Sequence, residues 1–249
     1  MKKTVVITGG NKGIGAQITR SFAQAGYRVV VAARTDTGLS RELGEDVRFI
    51  KCDVRKESDH QKVVQSAKKW TKRLDVYINC AGFSKWSPIG KVTNDFWNAM
   101  IDTNLKGTFL GCKVAAQSLN KGGAIINISS LAGRRGSANN SVYCASKFGV
   151  TGLTQALSKE LGKDGIRVNA ICPVYIETKG LLQALKSKVS PTAGKNIKSY
   201  LSSFAKSQSG LKRLPQAKEV ADSCLFLASN SSSAITGQSI NVDCGVMPL

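Results

Sequence analysis

Short apolar, β-branched runs alternate with longer amphipathic stretches along almost the whole chain of 249 residues, and this alternation limits the possible folds most. The seven apolar runs lie at 5–8, 28–33, 48–52, 76–79, 124–129, 167–171 and 239–242. They are almost continuously apolar, as parallel strands are when both faces of a sheet are covered. The amphipathic stretches predict helices at 13–25, 57–72, 93–120, 141–161 and 215–228. Together they predict an α/β fold, with one domain over 1–249 and a doubly wound, seven-stranded parallel sheet that carries helices on both faces.

The segment 175–214 interrupts this alternation, because it is long, polar and rich in serine and lysine. A long connection inside a compact domain commonly carries function. We interpret the segment as a helical insertion that covers the substrate, and we expect it to be mobile.

Charge and cysteine content narrow the function classes. The net charge is +20, but the cations are dispersed without a dense block, so an anionic partner and an ordinary solvated surface both remain open. This distribution disfavours nucleic acid as a partner. The seven cysteines are spread singly, which predicts free thiols in a reducing, cytoplasmic compartment. His60 is the only histidine, so a metal site and a Ser-His-Asp triad are disfavoured.

The apolar runs are too short for a membrane protein. Met1-Lys2-Lys3 leads directly into the first run, which is shorter than the apolar core of a secretory signal. No other run reaches the length of a membrane span. We therefore expect neither a secretory leader nor a membrane association.

A glycine-rich loop follows the first predicted strand and precedes the first predicted helix. It reads Gly9-Gly10-Asn11-Lys12-Gly13-Ile14-Gly15. Glycines let the backbone turn tightly and approach a phosphate, and the helix N-terminus offers free N–H groups to it. A strand-loop-helix context of this kind favours a dinucleotide site over a turn without a ligand.

A tyrosine and a lysine lie four residues apart in the predicted helix 141–161. Tyr143 and Lys147 therefore share one helix face and can point into one cleft. A nearby ammonium group favours a phenolate, so we expect Lys147 to lower the pKa of Tyr143 and to prepare it for proton transfer. Ser130, after the predicted strand 124–129, can hold a substrate oxygen beside the phenol. Tyr-x-x-x-Lys alone is a weak motif, and a core tyrosine beside a surface lysine is the alternative.

The spacing Thr-Gly-x-x-x-Gly-x-Gly, combined with Ser130 and the Tyr143/Lys147 pair, resembles the short-chain dehydrogenase/reductase family across essentially the whole chain. The resemblance implies a Rossmann fold and a catalytic tetrad of Asn104, Ser130, Tyr143 and Lys147. It also implies that the backbone of Asn104 holds a water molecule that links Lys147 to solvent. The cofactor-binding residues that it implies, besides Tyr143 and Lys147, are Gly9, Asn11, Lys12, Gly13, Ile14, Gly15, Arg34, Asp53, Val54, Asn79, Ala81, Gly82, Pro173, Ile176 and Thr178. The sequence departs from the family pattern at Cys80, Val174 and Cys244.

The end of the second predicted strand indicates which nicotinamide cofactor binds. An NAD site usually has an acidic residue there, which accepts a hydrogen bond from the ribose 2′-hydroxyl. In this sequence Arg34 occupies the position, and Asp36 lies further into the loop. Lys12 offers a second cation for a 2′-phosphate. The pair favours NADP(H), with two ordinary surface charges as the alternative.

The substrate is less defined. The segment 175–214 carries six lysines between 179 and 206 but only Glu177 as an acid, and Phe83 and Trp86 offer apolar area for a pocket wall. A cationic rim suits an acyl group on an acidic carrier protein. The chain is similar to 3-oxoacyl-carrier-protein reductases, in which a basic residue at about the position of Lys121 serves the carrier.

Other substrates and functions remain open. A sugar, a polyol or a secondary-metabolite ketone is the alternative substrate, and a non-catalytic NADPH-binding regulator is the alternative function. The resemblance also implies a homotetramer or dimer built on the two long helices. Small residues there would allow close packing, namely Ala115, Ala116, Gly149 and Gly152.

Overall fold

The computed structural model describes residues 2–248. Seven strands form one sheet in the order β3-β2-β1-β4-β5-β6-β7. All neighbouring strands run parallel. The strands are β1 (Thr4–Thr8), β2 (Arg28–Ala33), β3 (Val47–Lys51), β4 (Val76–Asn79), β5 (Ala124–Ile128), β6 (Arg167–Pro173) and β7 (Ser239–Val242). The predicted doubly wound parallel sheet is confirmed.

Nine α-helices lie in the part of the chain from residue 2 to residue 248. They are α1 (Gly13–Gln24), α2 (Leu39–Leu43), α3 (Glu57–Thr71), α4 (Asn94–Ile101), α5 (Gly107–Ala116), α6 (Ser141–Leu161), α7 (Lys179–Leu185), α8 (Ile197–Gln208) and α9 (Ala217–Ala228). Helix α2 was not predicted, because five residues are too few to show a helical period.

Each face of the sheet has its own core, because successive side chains of a strand point to opposite faces. Val5 and Ile7 of β1 pack in one cluster with Phe22 of α1 and with α9. Val6 packs on the other face, in a cluster that includes Val63 of α3 and residues of α5. Both faces are therefore covered by helices, as the almost continuously apolar strands predicted.

The helix predicted over 93–120 is divided. A π-helical segment, Asp102–Lys106, joins α4 to α5, and α5 ends at Ala116. The chain then turns back toward the sheet, where the Asn120 N–H donates to the Leu74 carbonyl at 2.9 Å. The prediction of one helix to residue 120 is therefore wrong at its end, because tertiary hydrogen bonds replace the helical ones.

The small residues of the predicted helices 93–120 and 141–161 do not form a shared outer surface. Ala115 is fully buried in the core of its own chain. A Cβ added to Gly149 would lie 2.7 Å from Cδ2 of Leu105, so Gly149 also packs within the chain, whereas Gly152 faces open space. The expectation of a small-residue surface is wrong for Ala115 and Gly149, because the fold uses both internally.

Helices α7 and α8 lie within 175–214 and bury their own apolar residues. Trp86 is 5% exposed and packs with Leu185 and Leu201 of these helices, whereas Phe83 remains 41% exposed. That the insertion covers a substrate and that it is mobile stay predictions.

No helix between residues 2 and 248 combines the length and the apolar character that crossing a membrane requires. Over the same described range, no group of three or more His, Cys, Asp and Glu side chains is arranged to hold a metal ion.

Candidate active site

The glycine-rich loop lies between the carboxyl end of β1 and the start of α1. Gly9 has a φ of +66°, and a Cβ on it would lie 2.8 Å from Cα of Ala81. A Cβ on Gly15 would collide with the carbonyl of Gly9. The loop therefore needs both glycines. The first turn of α1 contains no acidic residue and receives no side-chain cap, so its N–H groups can meet an anion.

Asn11 connects this loop to the end of β2. Its side-chain amide donates to the Thr35 carbonyl at 2.9 Å, and the Thr37 hydroxyl donates to the Asn11 carbonyl at 3.0 Å. Arg34, directly before Thr35, and Lys12 in the loop are both exposed. The structure thus holds the segments that carry the two predicted cations together.

A cationic pocket of about 450 Å³ lies beside Arg34. It is lined by Arg34, Lys51, Asp53, Lys56, Asp59 and Lys62. Lys51 ends β3 opposite Ala33, which precedes Arg34, because β2 and β3 are parallel neighbours. The sequence analysis missed the three lysines of this pocket. The position of Lys51 at the end of a predicted strand was the available signal.

The carboxylate of Asp53 is already paired. The guanidinium of Arg55 donates to both of its oxygens, at 2.9 Å and 2.6 Å. The hydrogen bonds from Arg55, with a smaller contribution from the charge of Arg34, lower the pKa of Asp53 to about 2. Asp53 therefore does not leave an uncompensated negative charge in the pocket.

Tyr143, Lys147 and Ser130 come together where β5 ends against α6. Lys147 is 6% exposed, and its ammonium donates to the Ile128 carbonyl at 2.8 Å. The Nζ atom of Lys147 lies 5.8 Å from the centre of the Tyr143 ring. The hydroxyl of Ser129 donates to the Lys147 carbonyl at 3.1 Å and so fixes α6 against the end of β5.

The pKa values of the pair differ from the expectation. Burial raises the pKa of Tyr143 to about 12, and the nearby Ser130 hydroxyl opposes this effect. Burial also lowers the pKa of Lys147 to about 8. In the chain alone the pKa of Tyr143 is therefore raised and not lowered as expected, because the loss of hydration is the largest cause. The phenol is protonated at neutral pH.

Asn104 lies in the π-helical segment and is fully buried. Its side chain donates to the Phe83 carbonyl at 2.9 Å and accepts from the Phe83 N–H at 3.0 Å. A Cβ on Gly82 would lie 3.0 Å from Oδ1 of Asn104 and 3.7 Å from Nζ of Lys147. Asn104 thus aligns the loop after β4 beside Lys147. Its own carbonyl accepts from the Thr108 hydroxyl at 2.8 Å, and the predicted water at this carbonyl stays a prediction.

The loop after β4 and the loop after β6 complete the cleft. Thr8 accepts the N–H groups of Cys80 and Ala81 at 3.1 and 3.3 Å. Asn79 is buried and donates to Asn127 at 2.9 Å, so its side chain supports the sheet. Pro173 ends β6, and Ile176 is 4% exposed in the core.

Thr178 reaches the glycine-rich loop. A Cβ on Gly13 would lie 3.4 Å from the Thr178 methyl group. The Thr178 hydroxyl also caps α7 by accepting from the Leu181 N–H at 3.2 Å. The loop after β6 therefore joins the glycine-rich loop to the insertion, although these segments are far apart in the sequence.

Two departures from the family pattern differ in their backbone conformation. Val174 does not have a positive φ, so a side chain fits there without strain. Cys244 has a φ of +56°, which is the left-handed conformation that favours glycine.

Comparison with known proteins identifies the family. A family profile described as Enoyl-(Acyl carrier protein) reductase matches residues 9–247. A 3-oxoacyl-[acyl-carrier-protein] reductase of Chlamydia trachomatis is 35% identical over 99% of this chain and 98% of its own length.

Solved structures agree with this relationship. An actinorhodin polyketide ketoreductase with NADPH has a TM-score of 0.89 and 30% identity, covering 98% of this chain and 97% of its own. A short-chain glucose/ribitol dehydrogenase from Brucella melitensis has the same TM-score and identity, and both chains are fully covered. The chain therefore belongs to the short-chain dehydrogenase/reductase family of oxidoreductases.

Proposed function

We propose that this protein is an NADPH-dependent reductase that converts a carbonyl group into a secondary alcohol. The observation that carries the proposal is the meeting of Tyr143, Ser130 and Lys147 at the end of β5, beside the loop that follows β4. Asn104 supports this loop from the π-helical segment. This arrangement supports a site in which Tyr143, Ser130 and Lys147 meet the substrate oxygen and the cofactor ribose, with Asn104 behind them.

The residues of the cleft have separate parts in the proposed reaction. When bound, the cofactor supplies the hydride that adds to the carbonyl carbon. Tyr143 donates the proton to the carbonyl oxygen, which agrees with a phenol that is protonated at neutral pH. Ser130 donates a hydrogen bond to the same oxygen and orients it. Lys147 binds the ribose and stabilises the phenolate that remains after proton donation.

The described residues fit a phosphorylated dinucleotide. Gly9 and Gly15 leave a cradle that a Cβ would fill, and the uncapped N-terminus of α1 faces it. Lys12 and Arg34, with Lys51 and Lys56 of the cationic pocket, make no ion pair with another residue between 2 and 248. Four free cations support NADP(H) as the cofactor.

The proposed substrate is a 3-oxoacyl group on an acidic carrier protein. Six lysines of the insertion are exposed, and none pairs with an acid in the described chain: Lys179, Lys186, Lys188, Lys195, Lys198 and Lys206. The relatives named as 3-oxoacyl-carrier-protein reductases add support. Lys121 does not add support. It precedes β5 and so lies at the opposite end of the strand from Ser130, which follows β5.

A secondary-metabolite ketone is the second candidate substrate. Aromatic side chains of the insertion pack against one another. The ring centres of Tyr175 and Phe204 are 5.0 Å apart. The Tyr175 and Tyr200 hydroxyls lie 3.4 Å apart. Such a surface suits a cyclic or hydroxylated ketone better than a plain acyl chain. The likeness to a polyketide ketoreductase favours the same class.

One experiment separates these substrates. NADPH oxidation is measured with acetoacetyl-carrier protein and with a free ketone of similar size, each at low and high salt. We expect faster turnover of the carrier-bound substrate and a loss of that advantage at high salt, because exposed charges are screened. Turnover of the free ketone alone would select the second candidate. If neither is turned over and NADPH does not bind, the proposed function is wrong.

The assembly and the compartment are proposed as well. Trp97 of α4, Phe109 of α5 and Phe148 of α6 are each about half exposed, and a second copy of the chain would cover them in a dimer or tetramer. The cysteines between residues 2 and 248 are all free, which agrees with a reducing, cytoplasmic location.

A further inference from the structure

The only histidine of the chain lies outside the tetrad and is fully buried. Its Nε2 is 2.8 Å from the Val54 carbonyl, and its Nδ1 is 2.7 Å from the hydroxyl of Tyr77, which is also fully buried. A carbonyl can only accept, so Nε2 carries the proton and Nδ1 accepts from the phenol. One tautomer of His60 is therefore fixed from both sides.

Asp59 and His60 together hold the backbone of two consecutive residues. The carboxylate of Asp59 accepts the Asp53 N–H at 2.9 Å, and the His60 Nε2–H donates to the Val54 carbonyl. The start of α3 thus fixes the amide at one end of the dipeptide 53–54 and the carbonyl at its other end. Asp53 of this dipeptide lines the cationic pocket beside Arg34, and so does Asp59.

Helix α5 leaves room for this arrangement. A Cβ on Gly107 would lie 2.9 Å from Cγ2 of Val54 and 3.2 Å from its carbonyl oxygen. A Cβ on Gly111, one turn later, would lie 3.2 Å from Cε1 of His60. Both glycines therefore let Val54 and His60 lie directly against α5, and the polar chain from Tyr77 to Val54 stays closed to solvent.

We propose that His60, held by Tyr77, is a positioning residue that fixes the Asp53–Val54 backbone for the adenosine end of the dinucleotide. His60 and Tyr77 contact neither Tyr143 nor Lys147. They therefore act on the affinity for the cofactor and not on the chemical step. This inference rests on the proposed function, because it needs a dinucleotide to bind beside Arg34. The role belongs to this chain's own His60, Tyr77 and Asp59.

The test measures binding of 2′,5′-ADP, which has the adenosine end and no nicotinamide, by calorimetry. For His60→Leu we expect Kd to rise about tenfold, because the Val54 carbonyl and the Tyr77 hydroxyl lose their partners. We expect kcat at saturating NADPH and the KM for the carbonyl substrate to change less than about twofold, because the reacting groups are untouched. His60→Gln restores affinity, since the Gln amide can donate to Val54 and accept from Tyr77.

Tyr77→Phe is the second variant and decides the question if His60→Leu does not fold. It removes only the donor to Nδ1, and we expect a smaller rise in Kd for 2′,5′-ADP. Tyr27→Phe, a tyrosine change on the other face of the sheet, is the control and should leave Kd unchanged.

The outcomes separate this inference from the proposed function. If the unmodified protein does not bind 2′,5′-ADP, the proposed function fails first. If it binds, and the folded His60→Leu and Tyr77→Phe variants bind equally well, only the positioning role is overturned. A loss in kcat without a change in Kd would overturn it too.

Discussion

Tyr143 and Lys147 show how burial sets the state of a reactive pair. Both side chains lose water in the cleft, which raises the pKa of the phenol to about 12 and lowers that of the ammonium to about 8. The pair is therefore prepared to give a proton at neutral pH rather than to take one. Three predictions concern substitutions of single residues in the candidate site.

Replacing Tyr143 with Phe should abolish catalysis and leave cofactor binding intact. The substitution removes only the proton donor, so we expect kcat to fall by about 10² or more. Steady-state NADPH oxidation measures the loss, and a binding titration with NADPH shows whether the site survives. If turnover persists, Tyr143 is not the proton donor. A biological role that persists without turnover would favour the non-catalytic regulator.

Replacing Lys147 with Met should stabilise the protein at neutral pH. The lowered pKa of this buried lysine, from 10.5 to about 8, corresponds to about 3 kcal/mol of destabilisation at pH 7. Losing the hydrogen bond to Ile128 offsets about 1 kcal/mol of the gain, which leaves about 2 kcal/mol.

The pH dependence of this effect has a definite sign. Between pH 8 and 10.5 the folded protein has lost the proton and the unfolded chain has kept it, so the unmodified protein gains stability as the pH rises. The advantage of Lys147→Met should shrink over this range in urea unfolding without cofactor. A constant advantage would show that the ammonium group is not the cause.

Replacing Arg34 with Asp should erase or reverse a preference for NADPH over NADH. The change removes a cation beside the proposed 2′-phosphate and adds an acceptor for a ribose hydroxyl. The expected loss in relative affinity is about tenfold to a hundredfold, the range for charged hydrogen bonds. Calorimetric Kd values for both cofactors test this. Lys206→Asp, on the exposed side of α8, is the control. Equal affinities in the unmodified protein would contradict the cofactor assignment.

At the scale of elements, α6 positions the tetrad through its contact with the π-helical segment. Gly149 of α6 packs on Leu105, one residue after Asn104. The same helix contributes Tyr143 and Lys147. The close approach at Gly149 therefore places two predicted catalytic segments against each other.

Two glycines of α6 should respond in opposite directions to alanine. At Gly152 a Cβ meets nothing within 4 Å, so Gly152→Ala should stabilise the helix by about 1 kcal/mol. At Gly149 a Cβ would lie 2.7 Å from Leu105, and Gly149→Ala should destabilise because the side chain must shift. Urea unfolding at one protein concentration compares them. The packing argument is wrong if both substitutions have the same effect.

At the scale of the whole molecule, the unpaired lysines and the exposed aromatic residues lie on different elements. The unpaired lysines of the insertion lie around α7 and α8, whereas Trp97, Phe109 and Phe148 lie on α4, α5 and α6. In the proposed function, the carrier protein and a second copy of the chain would therefore contact different elements.

The assembly should be visible in solution. We expect sedimentation to give the mass of a dimer or tetramer, and Phe148→Glu to reduce it, because a buried unpaired charge opposes association. Leu211→Glu changes an exposed apolar residue that lies outside these helices and serves as the control. A single-chain mass for the unmodified protein would refute the proposed oligomer.

The sequence by itself determined the sheet, the helices that cover it and the family. Short, β-branched apolar runs between turns are typical of strands that are covered on both faces, and the strand-glycine-helix order has one common ligand class. Helix α6 begins and ends where its period predicted, at Ser141 and Leu161, because a long amphipathic helix has a clear repeat. Short α2 has no such repeat and was missed.

Only the tertiary structure decided the environment of the site. It revealed the burial that raises the pKa of Tyr143, the pairing of Asp53 with Arg55, and the contact of His60 with Val54 and Tyr77. These depend on which segments meet across the sheet and on how much water they exclude. Neither is a property of neighbouring residues, so the spacing of motifs located the cleft but not the state of its side chains.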